Sequence, residues 1–141
     1  MAEPHSETSA RPRVMENDVA ADALGIVVEA TAPGHAVLTM VVRDDMLNGF
    51  GITHGGFVFA LADTAFAYAC NQGETVTVAS GADITFFRST GAGQTLRATA
   101  TQRATVGRNG LCDITVTDDS GELVAEYRGR SFTTNRAFAN D

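Results

Sequence analysis

Apolar and polar positions divide this chain into one long apolar block and several short alternating ones. Positions 54–71, HGGFVFALADTAFAYACN, are almost wholly apolar and rich in Ala and Leu. The block is too long for one strand, so it reads as a buried helix. A helix apolar on every side needs cover on every side. A sheet around one face and a second copy of the chain near the other would supply it. Elsewhere the period is two. Positions 26–31 read as a strand, and 36–43 alternate around Leu38, Met40 and Val42. Ala32-Pro33-Gly34-His35 is the turn between them. Positions 75–88 are β-branched and aromatic, with a bulge expected at Ser80-Gly81. Three further alternating runs follow, around Leu96, Ala98 and Ala100, then Cys112, Ile114 and Val116, then Leu123, Ala125 and Tyr127. Turns rich in Gly, Asp and Ser separate them.

Before the hairpin, Pro12 suits a helix start and Gly25 a helix stop, which predicts a weakly amphipathic helix over about 13–23. Residues 1–11 are polar and read as a disordered tail. Positions 44–53 contain Asn48-Gly49 and Gly51 and read as a loop. The expected domain spans 12–135, with 136–141 a C-terminal tail. The order of elements is helix, two strands, buried helix, four strands. That is the α+β layout, an antiparallel sheet of about six strands with a helix packed on it.

Bulk composition narrows the function. A chain of 141 residues suits one domain and buries enough surface to need neither disulfide nor metal. The net charge of −7 argues against nucleic acid as a partner. All ten basic residues are arginine, so Schiff-base and lysine-nucleophile chemistry is excluded. Cys70 and Cys112 read as small core residues. No apolar run approaches the ~20 residues that span a bilayer, and no membrane association is expected. The polar N-terminus lacks the apolar stretch of a secretory signal, so the expected location is cytoplasmic.

Two places carry candidate chemistry. Asp63 is the only carboxylate within the apolar block. Burying a carboxylate is costly unless it is paired, bonded or used, and a positioned carboxylate suits acid–base work. The structural alternatives are an N-cap for a shorter helix starting at Thr64, or an Asp bonded to backbone. The second place is His54-Gly55-Gly56 at the start of the block. First-turn N–H groups lack intrahelical partners and carry the positive end of the helix dipole, which makes them a natural oxyanion site. His54 alone reads equally as a capping or packed residue. His5, His35 and His54 have no metal-like spacing, so no metal site is expected. No nucleophile elbow, Walker motif or dinucleotide fingerprint occurs.

The run Asn48-Gly49-Phe50-Gly51-Ile52-Thr53-His54-Gly55-Gly56, followed by Ala60-Leu61-Ala62-Asp63-Thr64-Ala65-Phe66-Ala67, resembles the signature of hotdog-fold thioesterases. It is most similar to the phenylacetic-acid-degradation (PaaI-type) branch. Val78-Ala79-Ser80 and Tyr127-Arg128-Gly129-Arg130-Ser131 look like that branch too, and the likeness covers about residues 14–134. The chain departs from many relatives at Ser89, where Pro is common.

The resemblance implies a long helix wrapped by an antiparallel sheet, in dimers that share active sites and commonly in homotetramers. It implies hydrolysis of an acyl-CoA with no cofactor. Asp63 would be general base or nucleophile, Gly55 N–H the oxyanion donor, and Asn48 and His54 helpers of that hole and of the attacking water. Ser80 would orient water or Asp63. Phe50, Phe57 and Phe66 would meet an aryl-acyl group such as (hydroxy)phenylacetyl. Arg88, Arg103 and Arg108 are the cations considered for the CoA phosphates. A non-catalytic acyl-CoA binding module and an acyl-CoA hydratase of the same fold are the alternatives.

Overall fold

The computed structural model describes residues 7–137. After a 3-10 turn at Arg13–Met15 come α1 (Val19–Ala23) and the hairpin β1 (Val27–Ala32) and β2 (His35–Val41). A second 3-10 turn, Asp44–Met46, leads to α2 (Gly55–Cys70). Then follow β3 (Thr75–Phe86), β4 (Thr95–Val106), β5 (Asn109–Thr117) and β6 (Leu123–Ala137). The six strands form one sheet in the order β1-β2-β4-β5-β6-β3, antiparallel at every junction. Helix α2 carries the chain from β2 to the far edge, β3. A six-stranded antiparallel sheet with one long helix on it is the α+β architecture expected.

The alternation seen in the sequence sorts the two sheet faces. Leu38, Met40, Leu96, Ala98, Ala100, Ile114, Val116 and Tyr127 are buried on the inner face. They meet Val58, Leu61, Ala62, Ala65, Phe66 and Tyr68 of α2. The outer face is held by charge instead. Arg128 and Arg103 reach Asp113 at 2.9 and 3.3 Å, and Arg130 reaches Asp83 at 2.8 Å. Both cysteines are free thiols, Cys112 buried and Cys70 half-buried. In β3 the register shifts between Ala79 and Gly81, which leaves Ser80 unpaired at the expected bulge.

Three boundaries differ from expectation. The helix expected over 13–23 is broken, because Asp18 accepts the Ala21 N–H at 3.1 Å and starts α1 afresh as its N-cap. The other oxygen of Asp18 accepts the buried Tyr68 hydroxyl at 3.0 Å, which ties this segment to α2. Burial, and then the Asp18 charge, hold the Tyr68 phenol above its ordinary range. The expected tail lies outside the described residues as far as position 6. Beyond it, Thr8 pairs with Thr31 on the outer edge of β1, with backbone bonds of 3.0 and 2.6 Å. At the other end β6 runs to Ala137, past the expected boundary at 135, and 138–141 lie outside the described residues. Among the described residues no helix is long and apolar enough to cross a membrane.

The end of α2 is clipped to β3 by one buried side chain. Asn71 Oδ1 accepts the Thr77 N–H at 2.8 Å, while its Nδ2 donates to the Ala67 and Thr77 carbonyls at 2.9 Å. On the inner face of β6 a glycine lets the helix approach. A Cβ at Gly129 would lie 2.7 Å from two ring atoms of Phe66. Gly129→Ala should therefore force Phe66 out of place and cost about 1–3 kcal/mol. A thermal melt should show Tm lowered by several degrees; an unchanged Tm would mean that the ring shifts without cost.

Candidate active site

The start of α2 is built by His54. Its backbone is extended, its Nδ1 accepts the Gly56 N–H at 2.9 Å, and its carbonyl accepts the Phe57 N–H at 3.0 Å. An accepting Nδ1 places the proton of the neutral ring on Nε2. Two first-turn donors are thereby engaged, while Gly55, the first helical residue, has no carbonyl within the helix to bond. The Phe86 ring lies against Gly55, where a Cβ would come within 3.0 Å of Cζ. The turn is anchored from behind by the His54 N–H on the Met46 carbonyl at 2.8 Å and the Thr53 N–H on the Thr90 carbonyl at 2.9 Å. Buried Thr53 and Thr90 also share a hydroxyl bond of 2.7 Å.

The preceding loop folds around Asn48. Its Oδ1 accepts the N–H groups of Phe50 at 2.9 Å and Ile52 at 3.4 Å, which leaves its amide N–H₂ as the donor the side chain presents. Asn48, Thr53, Gly55, Val58, Phe86 and Arg88 line a cavity of about 350 Å³. Arg88 also pairs with Glu122 at 3.3 Å.

Asp63 stands two turns further along α2, half-buried, and opens on a different cavity of about 210 Å³. Phe66, Ala67, Cys70, Thr77 and Ser131 also line it. Its Oδ1 accepts the Tyr127 hydroxyl at 2.6 Å. The Tyr127 ring is buried, edge-on to Phe59 at 5.2 Å and tilted against Phe66 at 5.9 Å. Burial first, and the bond to Asp63 second, raise the Tyr127 phenol well above its ordinary value. Helix α2 runs unbroken through Asp63 and the side chain bonds a phenol. Both structural alternatives, N-cap and backbone-bonded Asp, are thereby corrected.

Within one chain the structure therefore gathers Asn48, Gly55 and Arg88 at one cavity and Asp63 at another. His54 serves as the cap between loop and helix, and Phe57 packs edge-on against its ring at 6.0 Å. Phe50 is 89% exposed and Ser80 is exposed at the β3 bulge; neither lines these cavities. Arg103 is engaged by Asp113, and Arg108 donates to the Thr133 carbonyl at 3.2 Å and to Asn135. Among the described residues no group of His, Cys, Asp and Glu is placed to hold a metal ion. Tyr127 was missed because its inward position on an alternating strand reads as core. The available signal was its hydroxyl, which needs a partner once buried.

Known proteins share this architecture. The thioesterase superfamily model matches residues 50–125, more than half of the chain. Acyl-coenzyme A thioesterase PaaI of Escherichia coli is 47% identical over 116 residues, covering 82% of this chain and 83% of that protein. The structure of the E. coli PaaI protein from the phenylacetic acid degradation operon superposes with a TM-score of 0.85 at 44% identity, over 88% of this chain and 90% of that one. A Streptococcus mutans protein solved with bound acetyl-CoA superposes with a TM-score of 0.75 at 25% identity, over 79% and 90% of the two chains. On the family match, the E. coli relative and the shared architecture, the chain belongs to the thioesterase superfamily and has the hotdog fold.

Proposed function

We propose that this protein hydrolyses aryl-acyl-CoA thioesters, of the (hydroxy)phenylacetyl type, to the free acid and CoA. The observation that carries the reading is the Asp63 carboxylate, set in an apolar helix and opening on a cavity of about 210 Å³. The E. coli relative's activity and the acetyl-CoA bound by the S. mutans protein support the substrate class. In the proposed reaction the thioester carbonyl oxygen takes the Gly55 N–H as the tetrahedral intermediate forms. One well-placed oxyanion donor is worth roughly 3 kcal/mol or more. Asn48 supplies a second polar contact, and His54 keeps the helix start in shape. Asp63 either removes a proton from water, whose oxygen bonds the carbonyl carbon, or attacks that carbon itself to give an anhydride that water then opens. In both cases the C–S bond breaks and CoA leaves as the thiolate, which is protonated by the proton Asp63 took from water in the first route and by solvent in the second.

Asp63 and Gly55 lie on separate cavities of one chain, so the reading requires a second copy. Eight residues along a helix is about 12 Å, too far for both groups to touch one thioester carbon. A twofold arrangement that sets Asp63 of one copy against the Asn48–Gly55 cavity of the other closes the gap. The surface supports this. The edge of β1 is met by Thr8 at Thr31, whereas the twelve-residue β3 meets β6 on one side and no strand on the other among the described residues. Exposed Phe59, Val78 and Phe86 lie on α2 and β3. An open edge with apolar side chains is a surface that a folded protein ordinarily covers. A pair of such dimers, the homotetramer, is the assembly we propose.

Asp63→Asn should leave the fold intact, since Asn offers the Tyr127 hydroxyl a carbonyl acceptor of the same size. It should lower kcat by ~10²–10⁴-fold in a thiol-release assay, because an amide neither deprotonates water nor attacks a thioester. A well-folded variant that keeps more than about a tenth of the wild-type kcat rules Asp63 out as the reacting group. Shared sites predict complementation as well. Mixing and refolding Asp63→Asn with Asn48→Ala should return activity toward about a quarter of wild type, since half the random dimers then carry one intact site. Activity that stays at the sum of the two inactive parents places each site within one copy. For the acyl group, Phe66 on the wall beside Asp63 favours a ring through edge or offset contacts. Phenylacetyl-CoA should therefore exceed straight medium-chain acyl-CoAs in kcat/KM, and the reverse order removes the aryl preference.

A further inference from the structure

We propose that Tyr127 is a positioning residue for Asp63, fixing the carboxylate so that a single oxygen, Oδ2, faces the reacting group. The inference rests on the reading that Asp63 reacts, and deepens it. The carboxylate stands on α2, and its orientation is set from β6, 64 positions away in sequence. At 2.6 Å the phenol–carboxylate bond is in the short range typical of an O–H donor on a charged oxygen. It occupies Oδ1, whereas Oδ2 accepts no hydrogen bond among the described residues. A free aspartate rotates about its last side-chain bond in a broad, roughly twofold well, so either oxygen can present itself. A donor fixed on one oxygen removes that freedom.

The donor is itself fixed. Tyr127 is 1% exposed, and its ring is wedged by Phe59 at 5.2 Å and Phe66 at 5.9 Å. Its backbone lies in β6, paired with Ile114 of β5 on one side and Ile84 of β3 on the other. The hydroxyl therefore has one place to be. Because burial raises the phenol above its ordinary value, it remains protonated near neutral pH and acts only as a donor. It touches Asp63 and not the cavity beside it, whose wall is formed by other residues. Its action on the reaction passes through Asp63, by the pre-organisation that catalytic groups need from their supporting shell.

The test is a double-mutant cycle on the full chain, with Tyr127→Phe, Asp63→Asn and the pair, read by steady-state thioester hydrolysis of phenylacetyl-CoA and by thermal melts. Loss of alignment costs up to ~10²-fold, so Tyr127→Phe should lower kcat by roughly 10- to 100-fold with KM changed less than about twofold. In the Asp63→Asn background the same substitution should have no further effect on kcat. Replacement of Tyr127 by 3-fluorotyrosine, which keeps ring and donor, should restore kcat to within a few-fold, and this arm stands even if the Phe variant is poorly folded. Three results overturn the proposal. One is a folded Tyr127→Phe with near-normal kcat while Asp63→Asn is inactive, which leaves the Asp63 reading standing. Another is an equal loss in both Asp63 backgrounds, which marks a packing effect. The third is an active Asp63→Asn, which removes the Asp63 reading and this one with it.

Discussion

A sixteen-residue helix with almost no polar face has to be taken out of water, and the rest of this molecule is arranged around that requirement. Each large side chain buried from α2 contributes about 1.5–3 kcal/mol, and Leu61, Phe66 and Tyr68 are all fully or nearly fully enclosed. The sheet provides the enclosure. Its inner face is built from small and branched side chains, and Gly129 lets the Phe66 ring come down onto the strand backbone. On the outer face of β3–β6, ion pairs among Arg103, Asp113, Arg128, Asp83 and Arg130 stand opposite that apolar face.

That burial is incomplete along one stripe of α2, where Gly56 and Phe59 are exposed and Ala60, Asp63 and Ala67 are half-buried. Asp63 belongs to this stripe. A carboxylate placed there avoids full desolvation, yet it stands beside apolar walls and a neutral phenol. Its partner is a hydrogen-bond donor without charge, the Tyr127 hydroxyl, and not a cation. An arginine in place of Tyr127 would have paired the charge that the proposed chemistry uses.

The two cavities follow from the same helix. Its N-terminal turn, capped by His54 and backed by Thr53 and Thr90, faces the loop built on Asn48. Its middle faces β3 and β6. A single helix cannot bring its first residue and its ninth to one carbon atom. The proposed assembly of copies follows from that helix geometry, and among the described residues the outer side of β3 pairs with no strand.

The periodicity of apolar residues determined most of the architecture: the buried helix, the hairpin, the bulge at Ser80 and the later strands all stand where spacing put them. Each is a local pattern, legible because side chains repeat every two residues in a strand and every 3.6 in a helix. Asp63 was legible too, since a lone carboxylate in an apolar block is a cost that demands a reason. The break before α1 escaped notice because Asp18 acts as a cap only through a hydrogen bond that competes with helix continuation. The roles of Ser80 and Phe50 were assigned from the resemblance, yet both side chains are exposed in the single chain. Only the tertiary structure decided that Tyr127 meets Asp63 and that Gly55 and Asp63 open on different cavities. Those facts depend on which strand lies beside which face of the helix. Strand order is settled by packing the whole sheet around α2, and no spacing within a strand records it.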